Sequence, residues 1–402
     1  MKTHFQILIV GGGNAGISLA AQLFRKDPKL DVAIVDPTEK HYYQPAWTLV
    51  GGGVFDINDT IRTEAEVMPE KATWIKDAAA SFEPEQNTLV TAGGNRYTYD
   101  YLVVCPGIQL DFNKIKGLEG NLGKNGITTN YLFQYAPYTY ECLRNTKKGN
   151  ALFTSPNTPI KCGGAPQKIM YLGADYWRKH GLAGEVKVHF YSGGTTIFGV
   201  KKYADTLNKV VARYGIQTHF FHNLVEIKAD SKQAIFDVYK DGQVVNQVTE
   251  NFEMIHVTPP QSAPDFIKNS PLAVPGNPLG WIDVDQYNFQ HKRYSNIYAI
   301  GDATTTPNAK TGAAVRKQVP VLVAQLISQI RTGQPAPDRY TGYGSCPVVT
   351  GYGKLMLAEF GYDNVIMETF PFDQGKERWS MYQLKRRVLP WLYWNKILRG
   401  TA

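Results

Sequence analysis

Cys162 lies in the stretch TSPNTPIKCGGAPQKIMYL, residues 154–172, directly after Lys161 and ahead of Lys168. A short apolar strand precedes it, and Pro166 opens an apolar-periodic run. Proline suits the first turn of a helix, so the spacing predicts a thiol just before a helix N-terminus. The helix dipole and nearby ammonium groups favour thiolate, the nucleophilic form of the side chain. The alternative is a small thiol plugging a tight turn. Cys346, in GYGSCPVVTGYG, is the second candidate. Its small neighbours and the following proline predict an extended, accessible position, or an incidental exposed thiol. Cys105 ends an apolar strand and Cys142 lies in a helical run, and both read as structural. Four cysteines without a Cys-x-x-Cys pair are too few for a disulfide scaffold. They give no reason to expect zinc, iron–sulfur or haem, so no metal site is predicted.

A dinucleotide-binding unit must position such a thiol. FQILIV, residues 5–10, reads as a buried parallel strand. The turn GGGNAG follows, then the helix ISLAAQLFRK and the strand DVAIVD ending on Asp36. Gly11 makes the tight turn, Gly13 lets a pyrophosphate approach the backbone, and Gly16 lets helix and strand pack closely. Asn14 and Ala15 complete the anion site at the helix N-terminus, and Asp36 is placed for a ribose diol. Two later strands end in loops of the same kind, YDYLVVCPGIQL at Pro106-Gly107 and YSNIYAIGDATTT at Gly301-Asp302. Together with the N-terminal motif this pattern resembles the flavoproteins with two dinucleotide-binding domains. The resemblance implies FAD, with Asp302 on the ribityl chain and Lys317 and Gln318 near the pyrimidine edge of the flavin.

Residues 113–275 repeat the α/β pattern, but the turn after the first strand is NTPIKCGGAP and the second strand ends FYSGG without an acid. The anchors for a nicotinamide dinucleotide are missing, and the cysteine stands in their place. The expected fold class is α/β, with two Rossmann-like domains of the disulfide-reductase type and a C-terminal amphipathic membrane-binding segment. Expected extents are 1–112 and 276–334 for the FAD domain, 113–275 for the second domain, and 335–402 for a quinone- and membrane-binding region. The net charge of +8 is concentrated at the end of the chain. Residues 376–402 carry seven Lys/Arg against one acid, together with Trp379, Trp391 and Trp394. Indoles favour the lipid headgroup level and cations favour anionic lipid. The alternative is a helix packed on its own core. Pro390 is expected to split this segment into helices at about 378–389 and 391–399. No signal-peptide core and no spanning run of apolar residues is visible.

Four stretches, TSPNTPIKCGGAPQKIMYL, YTGYGSCPVVTGYGKLMLAEF, HYYQPAWTLVGGG and LPWLYWNKILRG, resemble sulfide:quinone oxidoreductase over essentially the full length, and Pro45 in the third is expected at the cofactor. The likeness is to the branch that includes the mitochondrial enzyme. It implies a redox pair, Cys162 and Cys346, bridged by a disulfide or a sulfur chain beside the flavin. Hydrosulfide opens the bridge and leaves a persulfide, and two electrons pass through FAD to a membrane quinone. The sulfane sulfur goes to a small acceptor such as glutathione, sulfite or cyanide, and Lys161 and Lys168 suit an anionic acceptor. The third cysteine of the polysulfide-forming branch is missing between 106 and 141, which puts a three-cysteine mechanism in doubt. The implied location is peripheral, on a bacterial plasma membrane or its equivalent, with no nucleic-acid partner. Rival readings are a type II NADH:quinone oxidoreductase, a flavocytochrome sulfide dehydrogenase subunit and a membrane flavoprotein that senses redox state.

Overall fold

A computed structural model describes residues 2–402. The first sheet has a parallel core in the order Thr73–Ile75, Val32–Val35, His4–Val10, Arg96–Val104. The long strand Arg96–Val104 is shared. Its first half pairs antiparallel with Thr88–Thr91, and its last residues pair parallel with Ile297–Ala299. Register places Val10 opposite both Val35 and Val104, and Val104 opposite Ala299. Four strands therefore end at one edge, and the loops beginning at Gly11, Asp36, Cys105 and Ile300 gather there. Ile7, Leu8, Ile9, Leu102, Val103 and Val104 are fully buried. Such continuous apolar runs fit a parallel sheet covered on both faces.

The second sheet is wholly parallel, in the order Ile127–Thr128, Met254–His256, Gly149–Ser155, Val186–Ser192, Gln217–Phe220. Its central strand Gly149–Ser155 leads through the Cys162 turn into the helix Ala165–Lys179. The three-stranded antiparallel sheet of His222–Lys228, Gln233–Lys240 and Gln243–Asn251 turns at Asp241-Gly242. Where a dinucleotide would lie between the first two strand ends, Gly193 closes onto Asn157. A Cβ on Gly193 would stand 2.6 Å from the Asn157 amide nitrogen.

The hairpin Gly344–Gly351 and Lys354–Phe360 packs on the helix Ala165–Lys179, placing Cys346 opposite Ala358. Val348, Val349, Leu355, Met356 and Leu357 are buried in the same core as that helix. At about 1.5–3 kcal/mol for each buried side chain of this size, they fix the hairpin firmly enough to hold a neighbouring loop in strain. Cys346 is 3% exposed, so the expected accessibility is corrected. Alternate residues of a strand share a face, and Cys346 shares its face with the buried Val348.

The C-terminal segment is also corrected. Pro390 does not split it. Trp379–Gln383, Leu384–Val388, Leu389–Leu392 and Tyr393–Ile397 run on without a break in right-handed geometry, alternating α-helical and wider π-helical turns. Pro390 stands in the first turn of Leu389–Leu392, immediately after a π turn, where its missing N–H is tolerated. One face is core: Met381, Tyr382, Lys385, Tyr393, Trp394 and Leu398 are buried. Trp394 is only 5% exposed, whereas Trp379 and Trp391 are 67% and 54% exposed. Tyr393 donates to His41 Nε2 at 2.6 Å, and His41 Nδ1 pairs with Glu64 at 3.1 Å. The tail is thus sewn to the first domain. No helix among the described residues is long and apolar enough to cross a membrane.

Candidate active site

The Cys162 turn brings three segments together. The Cys162 N–H donates to the Lys310 carbonyl at 2.8 Å, and its own carbonyl accepts from Ala165 at 2.7 Å. These bonds pin Cys162 at φ +51°, a left-handed conformation that costs roughly 1–2 kcal/mol outside glycine. Strain held this way is a mark of functional positions. Gly164, two residues on, is required by close approach: a Cβ there would stand 2.5 Å from Cys346 Sγ.

The two sulfurs are 3.7 Å apart, well beyond a bonded distance of about 2.05 Å, and both cysteines are free. Lys168 is 3% exposed and donates to Cys162 Sγ at 2.9 Å. The Cys162 thiol is held well below its usual range by the hydrogen bond from Cys346 and by the Lys168 charge, against the opposing effect of burial. Cys346 is driven upward by that same hydrogen bond and by burial. The Lys168 contact at 2.9 Å and the shared hydrogen bond thus favour the thiolate at Cys162 over Cys346. Burial works against the Lys168 ammonium, yet the two sulfurs raise its pKa above the ordinary lysine value. Cys105 and Cys142 are both pushed up to about 12 by burial, which fits their structural reading.

Further lysines surround the dithiol. Lys161 donates to Gln44 at 2.6 Å and is pushed down to about 8 by burial, opposed by Asp302. Lys310 donates to the Asp302 and Thr304 carbonyls at 2.6 and 3.1 Å and is likewise lowered to about 8 by burial. Lys385 reaches in from the C-terminal helix to the Pro45 carbonyl at 2.8 Å. Burial and the charge of Lys168 lower it to about 7. Sequence reasoning passed over Lys310 and Lys385. The available signal for Lys385 was its spacing of four from Met381, which puts it on the apolar stripe of the helix.

Gly11 takes φ +106° with Cys105 packed behind it, and a Cβ on Gly16 would collide with the Gly11 carbonyl at 1.9 Å. A Cβ on Gly13 would meet nothing within 4 Å, which leaves an open cradle at the N-terminus of the helix Asn14–Lys26. Asn14 and Ala15 form its first turn, and Asp36 accepts from Gly12 at 2.6 Å and Thr38 at 2.8 Å. Pro106 and Gly107 (φ +77°) line the same edge, with open space beside Gly107. A Cβ on Gly301 would touch only the Ala15 and Val315 side chains, at 3.9 Å, and the Gly301 N–H donates to the buried Gln318 at 3.0 Å. Lys317 instead is exposed, its ammonium 5.8 Å from the Tyr343 ring, so the Lys317–Gln318 pair divides between two environments. The Asp302 carboxyl is raised by burial, opposed by Lys310 and Lys161, with the Cys162 charge adding to the rise. Asp302 and the thiolate thus share one electrostatic site. Near the dithiol, Asn130, Tyr131, Thr258 and Gln261 carry buried polar atoms with no partner among the described residues. An open phosphate cradle, an acid at the second strand and unpartnered polar atoms beside the sulfurs fit a long dinucleotide such as FAD.

Residues 5–144 match the pyridine nucleotide-disulphide oxidoreductase family model. The chain is 46% identical over 402 residues to the mitochondrial sulfide:quinone oxidoreductase of Dictyostelium discoideum, covering all of this chain and 87% of that protein. It is 44% identical to the mouse mitochondrial protein of the same name, over 99% of this chain and 87% of that one. The structure of the sulfide:quinone oxidoreductase from the bacterium Aquifex aeolicus shares the fold, with a TM-score of 0.79 at 19% identity over 98% of this chain and 92% of that one. With these relatives matched at this identity over 99–100% of this chain and 87% of their own length, the chain belongs to the sulfide:quinone oxidoreductase family.

Proposed function

We propose that this FAD-dependent oxidoreductase oxidises hydrogen sulfide to sulfane sulfur through the Cys162/Cys346 pair and delivers two electrons to a quinone. The observation that carries this reading is the pair itself: two free sulfurs 3.7 Å apart with Lys168 at 2.9 Å from one of them. In the oxidised state hydrosulfide attacks the Cys346 sulfur of the disulfide. A new S–S bond forms there, the Cys162–Cys346 bond breaks, and its electron pair leaves on Cys162. Lys168 stabilises that leaving thiolate, and a stabilised leaving group speeds exchange. A nucleophilic acceptor removes the outer sulfur from Cys346, and reclosure of the Cys162–Cys346 bond releases two electrons. FAD, when bound, supplies the two-electron acceptor that hands them on to quinone. Lys168, raised by the two sulfurs, and the neighbouring Lys161 put positive charge at the site, which supports an anionic sulfur acceptor. The exposed Trp379 and Trp391 on a basic helix support attachment to a membrane surface.

The test is anaerobic bleaching of the flavin. Sulfide should bleach the wild-type protein and NADH should not. Cys162→Ser and Cys346→Ser should each retain FAD and lose bleaching by sulfide. Normal bleaching in either variant removes that cysteine from the reaction. Bleaching by NADH instead would favour the type II NADH:quinone oxidoreductase reading, against which the closed Gly193–Asn157 approach argues.

A further inference from the structure

Away from the dithiol, the outer side of the C-terminal helix faces residues 55–62 across an open groove of about 420 Å³. Three guanidiniums line it, Arg62, Arg386 and Arg387. None of them forms an ion pair with a carboxylate among the described residues. Each is held differently. Arg62 lies over the Trp394 ring at 4.6 Å from its centroid, and Arg386 Nε donates to the Val54 carbonyl at 3.1 Å. Arg387 is exposed. Asp59 also lines the groove, so its local charge is about two positive. Trp391, half exposed, forms its rim, and the exposed Val388 stands one turn before it.

These features select the occupant. Guanidinium pairs match the oxygens of a phosphate in a planar fork. Three of them are poorly suited to a neutral quinone ring. A tryptophan at the rim places the groove at the headgroup level of a bilayer, where lipid phosphates lie. A lone surface charge would not need a concave site of this size, which falls within the roughly 300–1,000 Å³ of ordinary ligand pockets. We propose that this groove is a built site for the phosphate of an anionic phospholipid headgroup, so that lipid charge is read at one place rather than through net charge alone. The proposal rests on membrane-surface attachment by the C-terminal helix and deepens it.

The experiment is flotation of the FAD-loaded full chain with vesicles of phosphatidylcholine, alone or mixed with phosphatidylglycerol. Arg387→Gln and Arg62→Gln are compared with Lys396→Gln, which removes the same charge from an exposed position of the same helix outside the groove. Lys396→Gln should weaken binding to the mixed vesicles about fivefold, the share of one charge near an anionic surface. Each groove variant should weaken it about 10- to 100-fold, the share of a charge-assisted hydrogen bond, and should lose less on phosphatidylcholine alone, whose phosphate is offset by its own choline cation. Equal losses from all three variants would overturn the groove while leaving membrane attachment standing. No binding to either vesicle would overturn attachment and the groove together. Release by inorganic phosphate at constant ionic strength would show a free-anion site, and a raised quinone KM in Arg387→Gln at constant vesicle binding would show a quinone site. Either result would also overturn the proposal.

Discussion

Replacing Lys168 by methionine keeps most of the length of the side chain and removes a charge 2.9 Å from Cys162 Sγ. Coulomb's law gives about 6 kcal/mol for unit charges at that separation with an effective dielectric of about 20. That is an upper bound, because Lys385 and the N-terminus of the helix Ala165–Lys179 still favour the thiolate. A charge-assisted hydrogen bond is worth about 1.5–3 kcal/mol net, or about 10- to 100-fold in the thiol–thiolate equilibrium. The Cys346 hydrogen bond, the larger influence on Cys162, persists in the variant. The assay is alkylation of the anaerobically reduced protein by iodoacetamide as a function of pH. The peptide holding Cys162 is quantified by mass spectrometry, with Cys105 and Cys142 as buried controls. Lys168→Met should slow labelling of Cys162 near neutral pH by about 10- to 100-fold and bring it back at high pH, where the thiol ionises unaided. An unchanged pH profile would mean that Lys168 does not set the charge on the sulfur, and its role in stabilising the leaving thiolate would have to be abandoned.

Two other perturbations test the same geometry from different sides. Gly164→Ala places a methyl 2.5 Å from Cys346 Sγ, and overpacking of this kind costs about 1–3 kcal/mol. Oxidation of the dithiol by diamide, followed by thiol counting, should slow by about tenfold, and an unchanged rate would show that the turn gives way without moving the sulfurs. Lys385→Met probes a buried base whose folded value, about 7, lies below its ordinary 10.5. Because the folded value is depressed, stability from this lysine is fully present above about 10.5 and is lost as pH falls towards 7. The methionine variant should therefore gain on the wild type by on the order of 2–4 kcal/mol near pH 7 and by little near pH 10. A thermal midpoint that falls equally at both pH values would refute the buried-base assignment.

Much of this was legible in local sequence because local rules decide it. A strand of buried apolar residues, a glycine turn and a helix leave few options for residues 4–26, and Pro166 fixed where the helix after Cys162 begins. Register could not be read locally. That Val10, Val35, Val104 and Ala299 end level depends on pairing between strands far apart in the chain. The same holds for Cys346, read as accessible from its glycine-rich surroundings. Its burial comes from the face of the hairpin turned onto a helix nearly 170 residues earlier. Trp391 and Trp394 read alike in LPWLYW. The wide turn over Tyr393–Ile397 advances each residue by a smaller angle than an α-turn, and the second indole rotates into the core.

On the proposed reading, the C-terminal helix does two jobs that its composition could not separate. A helix that only lay on lipid would show one apolar face and leave its cations to solvent or headgroups. Here the inward face delivers Lys385 to the edge of the dithiol site and Tyr393 to His41, while the outward face carries Trp379, Arg387, Val388 and Trp391. Deleting residues 376–402 would consequently remove Lys385 from the edge of the sulfur site and open the core cluster that holds Tyr393, Trp394 and Leu398, so lost quinone reduction after truncation could not be assigned to lost membrane contact. Only substitutions confined to the outward face can separate the two. If the helix joins chemistry to membrane by this division of faces, changes at Trp379 and Trp391 should leave bleaching of the flavin by sulfide intact. Changes at Lys385 should alter it with vesicle binding untouched.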